Sequence, residues 1–185
     1  MSAEFSALPP AAILLLGALI VPFLRGRLLS VYLLAIPIAG LVNLLGLQEG
    51  EFNRVSLFSY ELIGARVDKL SLLFGYLFHV AAFLGLLFSL RSEDRLQQAS
   101  ALLYAGSAVG AVFAGDLITL FIFWELLAVT SVFQIWARRT QQANAAGMRY
   151  LLLHVTSGLL LLCGAALHYN DTGSLAFVHM ELSGP

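Results

Sequence analysis

Three ionisable side chains, His79, Glu125 and His154, stand inside long apolar runs of this sequence. An Asp, Lys or Arg at the middle of a membrane helix costs about 2.5–3.5 kcal/mol on insertion scales, and a glutamate is comparable. Each of the three therefore needs a chemical reason. Glu125 is the sharpest case. It lies in the run Leu120-Phe-Ile-Phe-Trp-Glu-Leu-Leu-Ala128, where helical spacing makes Phe121, Ile122, Ala128 and Val129 its same-face neighbours. Asp116, Thr119, Thr130 and Gln134 fall on the opposite side, so its own helix offers the carboxyl no polar partner. Either another helix supplies a cation or water, or desolvation keeps the carboxyl protonated. Both states suit a group that takes up and releases a proton at modest cost. The competing reading is a carboxyl hydrogen-bonded for packing, and the insertion cost weighs against it.

The histidines are less decisive. Imidazole titrates near neutrality and either relays protons or ligates a metal. His79 is central in its run, beside Gly75, Tyr76, Ala82 and Phe83. There, a neutral ring bonded to a nearby carbonyl is favoured over a relay. His154 stands one turn into its run, beside Tyr150, Ser157 and Gly158, on a face read as polar and closely packed. Relay and packing are evenly weighed for it. His168 and His179 fall at or beyond the membrane edge. Asp116 follows Gly115 at a helix start, where it is expected to cap free N–H groups rather than admit ions. Arg149 reads as a cytoplasmic-side anchor. No nucleotide-binding loop, HExxH or GxSxG pattern is present, so no cofactor, metal centre or soluble-type active site is expected.

The elements that position these groups follow from composition. Of 185 residues, 59% are hydrophobic and only 11% charged, against about a quarter charged in a soluble domain. A net charge of −1 leaves no basic surface for nucleic acid, and the single cysteine, Cys163, excludes a disulfide framework. The lipid bilayer is the implied solvent. A span needs about 20 mostly apolar residues, and the sequence predicts helices over 8–24, 28–47, 70–90, 96–114, 117–137 and 148–169 in one all-α membrane domain, 1–185. The fourth run carries Gly106-Ser-Ala-Val-Gly110, a spacing that lets helices approach closely, so this helix is expected to be packed rather than lipid-bathed. The connection 48–69 reads as a short interfacial hairpin around Val55, Leu57, Phe58, Ser59, Tyr60, Glu61 and Ile63, or as an ordered loop. Lys/Arg bias puts Arg25, Arg27, Arg91, Arg95, Arg138, Arg139 and Arg149 on the cytoplasmic side, and both termini on the outer side. With Glu4 and no basic residue before the first run, that run is expected to be a retained helix rather than a cleaved signal.

At these residues a resemblance becomes specific. Gly115-Asp-Leu-Ile-Thr-Leu-Phe-Ile-Phe-Trp-Glu-Leu-Leu-Ala128 resembles the fifth transmembrane helix of the antiporter-like subunits. These are the proton-translocating membrane subunits of respiratory complex I, membrane-bound hydrogenases and Mrp-type multisubunit Na+/H+ antiporters, and the Mrp type is the most similar. Val67-Asp-Lys-Leu-Ser-Leu-Leu-Phe74, Arg149-Tyr-Leu-Leu-Leu-His154 and the tail Thr172-Gly-Ser-Leu-Ala-Phe177 agree with it. The resemblance implies that Glu125 is an essential proton carrier paired with a lysine from a broken seventh helix, and that His154 lies near the channel as a relay. It assigns His79 no role. It also implies a fold of about fourteen helices with inverted repeats, of which only the first six match. The chain is thus expected to be a fragment, a truncated product or part of a split subunit. Expected partners are protons, with Na+ second, and other membrane subunits, in a prokaryotic-type inner membrane. Two rival readings stand beside it: a b-haem quinone module ligated by His79 and His154, and a purely structural membrane subunit.

Overall fold

A computed structural model describes residues 8–57, 60–91 and 94–177. Its helices are α1 (Ala12–Ile20, extended by a tighter turn Val21–Phe23), α2 (Gly26–Leu45), α3 (Lys69–Ser89), α4 (Arg95–Val112), α5 (Leu117–Trp136) and α6 (Gln141–Thr172), with strands β1 (Gly50–Leu57) and β2 (Tyr60–Val67) between α2 and α3. Helix α1 packs on α2, α2 on α3, α3 on α4, and α4 back on α1, which closes a four-helix ring. Helix α5 lies against α4, and α6 against α5. The ring is filled by Leu14, Leu33, Leu44, Leu86, Leu102, Val109 and Phe113.

Side-chain oxygens placed just ahead of the apolar runs start the helices. Asp68 and Ser71 exchange bonds in a capping box at α3, Asp94 accepts from the first turn of α4, and Thr140 accepts from Ala143 N–H at α6. The Thr140 cap starts α6 at Gln141, upstream of the apolar run that begins at Met148.

Helices α2, α3, α5 and α6 are each long and apolar enough to cross a membrane, while α1 with its added turn is a shorter apolar helix. Helix α4 is more polar because it faces protein rather than lipid. Gln98, Ser100, Gly106, Ser107 and Gly110 are all buried on it. Gly106 lies under Leu14 and Leu15 of α1, and Gly110 under the Phe123 ring of α5. The small-residue spacing thus packs the helix as its sequence implies.

The connection 48–69 is a hairpin. β1 and β2 pair antiparallel from Gly50 opposite Val67 to Leu57 opposite Tyr60, and the turn residues Phe58 and Ser59 lie outside the described residues. Ile63, Ala65 and Val67 are buried in alternation, the strand period laid over the end of the bundle. There β2 meets the α4–α5 link and the tail. Arg66 N–H donates to Phe113 O (2.7 Å), Gly115 N–H to Ile63 O (3.1 Å) and Leu117 N–H to Leu175 O (3.0 Å). The Arg66 guanidinium donates to Phe177 O (2.9 Å).

Candidate functional site: the seam between α5 and α6

Asp116 fixes the start of α5. It is fully buried and accepts from Thr119 N–H (2.7 Å), the Thr119 hydroxyl (2.8 Å) and Ile63 N–H (2.6 Å). The capping expected from the sequence is present, and the same carboxylate also holds β2. At the other end, Arg139 turns the chain with φ 51° and pairs with Asp94 at 3.0 Å. Helix α6 then runs back antiparallel along α5.

The two helices meet in register. Trp136 covers Gly147, the Ser131 and Tyr150 hydroxyls are 2.9 Å apart, Trp124 stacks on His154, and the Glu125 carboxyl lies directly on Gly158. The glycines are spaced eleven residues apart on α6, as are Glu125 and Trp136 on α5. That is close to three helical turns, so both pairs recur on one line of contact. His154 is held between two rings, with centroids 5.7 Å from Trp124 at 21° and 5.3 Å from Tyr150 at 26°.

Among the described residues, Glu125 Oε1 is buried without a hydrogen-bond partner, and so is Trp124 Nε1 beside it. Buried polar atoms are almost always satisfied, so an unsatisfied one marks either cost or use. The expectation that α5 itself offers Glu125 no polar partner holds, because Thr119 and Thr130 are buried on other faces of α5 and Thr130 bonds back to Leu126 O and Leu127 O.

Glu125 and His154 therefore share one seam, a turn of α6 apart. Ser157, read from the sequence as part of that face, is exposed instead, since it follows the seam-facing His154 by three residues rather than four. His79 sits elsewhere. It is buried between α2 and α3, with Nδ1 2.7 Å from Gly75 O and the ring packed on Gly40. Helix α4 stands between the seam of His79 and that of His154, and Gly40 covers His79 Nε2. A haem shared by the two histidines does not fit this packing. His168 lies in the last turns of α6 with Nε2 buried, and His179 is outside the described residues. Sequence reasoning missed Ser131, Trp124 as a clamp, and Gly158 as the seat of the carboxyl. The matched eleven-residue spacings were the available signal.

Apolar helices joined by short turns, their lipid-facing sides crowded with exposed Leu, Val and Phe, define a multi-pass helical membrane protein. Residues 114–183, which hold the whole α5–α6 seam, match the family described as NADH:quinone oxidoreductase/Mrp antiporter, TM, and over these residues the chain is a member of that family. It is 30% identical over 169 residues to NAD(P)H-quinone oxidoreductase subunit 2 of a Nostoc species, covering 86% of this chain and 32% of that protein. It is 32% identical over 120 residues to Na(+)/H(+) antiporter subunit A1 of Staphylococcus aureus, covering 62% of this chain and 15% of that one. The chain thus spans about a third or less of the length of the curated relatives it matches. In fold it is similar to a chain of the membrane-bound sulfane sulfur reductase, an archaeal respiratory membrane complex, with a TM-score of 0.76 and 23% identity over 92% of this chain and 38% of that one.

Proposed function

We propose that this chain is one membrane domain of a proton-translocating subunit within a multisubunit respiratory or antiporter complex, and that Glu125 is its proton carrier. The observation that carries the reading is the Glu125 carboxyl itself, seated on Gly158 with Oε1 buried and unpartnered. Without a fixed cation beside it, such a carboxyl is held neutral by desolvation and becomes charged when a cation or water reaches it. Reversible protonation is what a carrier requires. His154, clamped one turn away, is the relay partner. His79 takes no part, since its ring is packed between α2 and α3, away from the seam. Exchange of protons against Na+ is the second reading, supported by the similarity to the antiporter subunit A1. Both termini face outward in this reading, with the α5–α6 turn at the cytoplasmic end, in keeping with the arginines collected there.

The test is Glu125→Gln in the assembled complex reconstituted into liposomes. Glutamine keeps the shape on Gly158 and cannot carry a proton, so proton uptake is abolished while assembly and helix content are unchanged. Uptake at the parent rate would return Glu125 to a packing role.

A further inference from the structure

The seam contains a feature that Glu125 and His154 do not use. The Ser131 hydroxyl has one proton and two acceptors at the same distance: Ala128 O in its own helix at 2.9 Å, and Tyr150 Oη across the seam, also at 2.9 Å. It can serve only one at a time. When Ser131 donates to Tyr150, the phenol donates onward. When Ser131 turns to Ala128, one turn from Glu125, its oxygen is free to accept from Tyr150. The pair is a two-position hydroxyl chain, and nothing in packing alone requires a hydroxyl on either partner.

Its place in the seam gives this a direction. Tyr150, His154 and Gly158 recur every four residues on α6, so that from the α5–α6 turn inward the order is the Ser131–Tyr150 pair, the His154 ring, and the Glu125 carboxyl on Gly158. Each step is roughly 6 Å along the axis at ~1.5 Å per residue, a spacing that one hydrogen-bonded water spans between groups. The Tyr150 ring also stacks on His154, which ties the phenol to the orientation of the imidazole. Among the described residues, neither His154 nitrogen is committed to a protein hydrogen bond, in contrast with His79 Nδ1.

We infer that the Ser131–Tyr150 hydroxyl pair is the entry relay that passes protons from the α5–α6 turn end of the membrane, by way of His154, to Glu125. The step is proton transfer only. Each oxygen accepts one proton as it gives up its own, and rotation of the two hydroxyls resets the chain. This rests on the reading of Glu125 as the carrier, and the experiment separates the two.

Tyr150→Phe, which keeps the stacked ring and deletes the oxygen, and Ser131→Ala are introduced singly and together into the reconstituted complex, beside Glu125→Gln. Proton uptake is followed with a trapped pH dye in H2O and D2O. The expected result is at least about tenfold slower uptake in each single variant, as for loss of one positioned proton-transfer group. No further loss is expected in the double variant, since both residues form one link. The solvent isotope effect should rise as proton delivery becomes limiting, whereas a merely structural defect would leave it unmoved. Parent-rate uptake in Tyr150→Phe and Ser131→Ala, with Glu125→Gln inactive, would overturn the entry relay and leave the carrier standing. Uptake in Glu125→Gln would remove both.

Discussion

A methyl group at Gly158 would occupy the position that the Glu125 carboxyl now holds. A Cβ built there overlaps Oε1, stands 2.8 Å from the carboxyl carbon, and reaches Phe121 at 3.5 Å. The aromatic contact is ordinary; the carboxyl contact is not. In Gly158→Ala the carboxyl must therefore swing off its seat, or α5 and α6 must part. Overpacking of this kind costs about 1–3 kcal/mol. At about 1.36 kcal/mol per tenfold, the seated conformer falls by roughly 5- to 150-fold in population, and proton uptake by the reconstituted complex should fall with it. Helix propensity works the other way, since alanine gains about 0.8–1.0 kcal/mol over glycine. Gly164→Ala, in the same helix with nothing within 4 Å of its Cβ position, measures that gain alone and should be neutral or slightly stabilising. Glu125→Asp withdraws the carboxyl by one carbon–carbon bond, about 1.5 Å, so the double variant Glu125→Asp/Gly158→Ala should recover uptake relative to Gly158→Ala. The reasoning is refuted if Gly158→Ala matches the parent in uptake and thermal stability, or if Glu125→Asp worsens it additively.

Two further outcomes follow from the outer end of the bundle. Asp116→Ala leaves two backbone N–H groups and the Thr119 hydroxyl without their acceptor. At about 1–3 kcal/mol for each buried orphan, the loss should be roughly 2–5 kcal/mol in thermal unfolding, with hydrogen exchange at Ile63 accelerated first; unchanged exchange there would show that Asp116 does not hold the hairpin. The Asp68 carboxyl is held below its ordinary value chiefly by the Ser71 backbone N–H, with the Ser71 hydroxyl and the Arg66 charge adding to that against a smaller upward push from burial. Its cap is therefore fully present above the unfolded aspartate value of about 3.9 and is lost as pH falls through the lower folded value. Exchange protection of the Ser71 amide should hold from neutral pH to about 4 and fail only below it.

Much of this architecture is legible in the chain because membrane helices announce themselves through length and hydropathy. The seam is less legible for a reason that can be located. The oddity of Glu125 is a property of one helix, visible in its neighbours at three- and four-residue spacing. Its seat on Gly158 is a property of two helices and of the sliding register between them, which periodicity within each does not fix. Ser157 shows the same limit: three and four residues from His154 look equally close on a helical face, and packing against α5 takes Gly158 and leaves Ser157 outside. The hairpin is ambiguous in sequence because its alternation is imperfect in β1. What settles it lies elsewhere in the chain, in the buried Asp116 that accepts from Ile63.

The position of Glu125 also says what has to move. Helix α5 is tied at both ends. The Asp116 carboxylate and the backbone bonds from Gly115 and Leu117 hold its start to β2 and the tail. At its finish Arg139 N–H donates to Trp136 O at 2.8 Å, and the Arg139 guanidinium meets Asp94 of α4. That last ion pair is largely solvent-exposed, so its contribution is under about 1 kcal/mol, but the buried bonds at the start are not weakened in this way. Phe123 over Gly110 locks the middle of α5 to α4. A helix pinned in this manner does not shift to carry its glutamate across the seam. Transport through Glu125 must then proceed by exchange of the proton, by rotation of the carboxyl over Gly158, and by movement of α6, whose main helix packing is against α5. Cross-linking α5 to α6 near the Trp136–Gly147 end should leave uptake intact if rotation of the carboxyl suffices, and should stop it if α6 has to move.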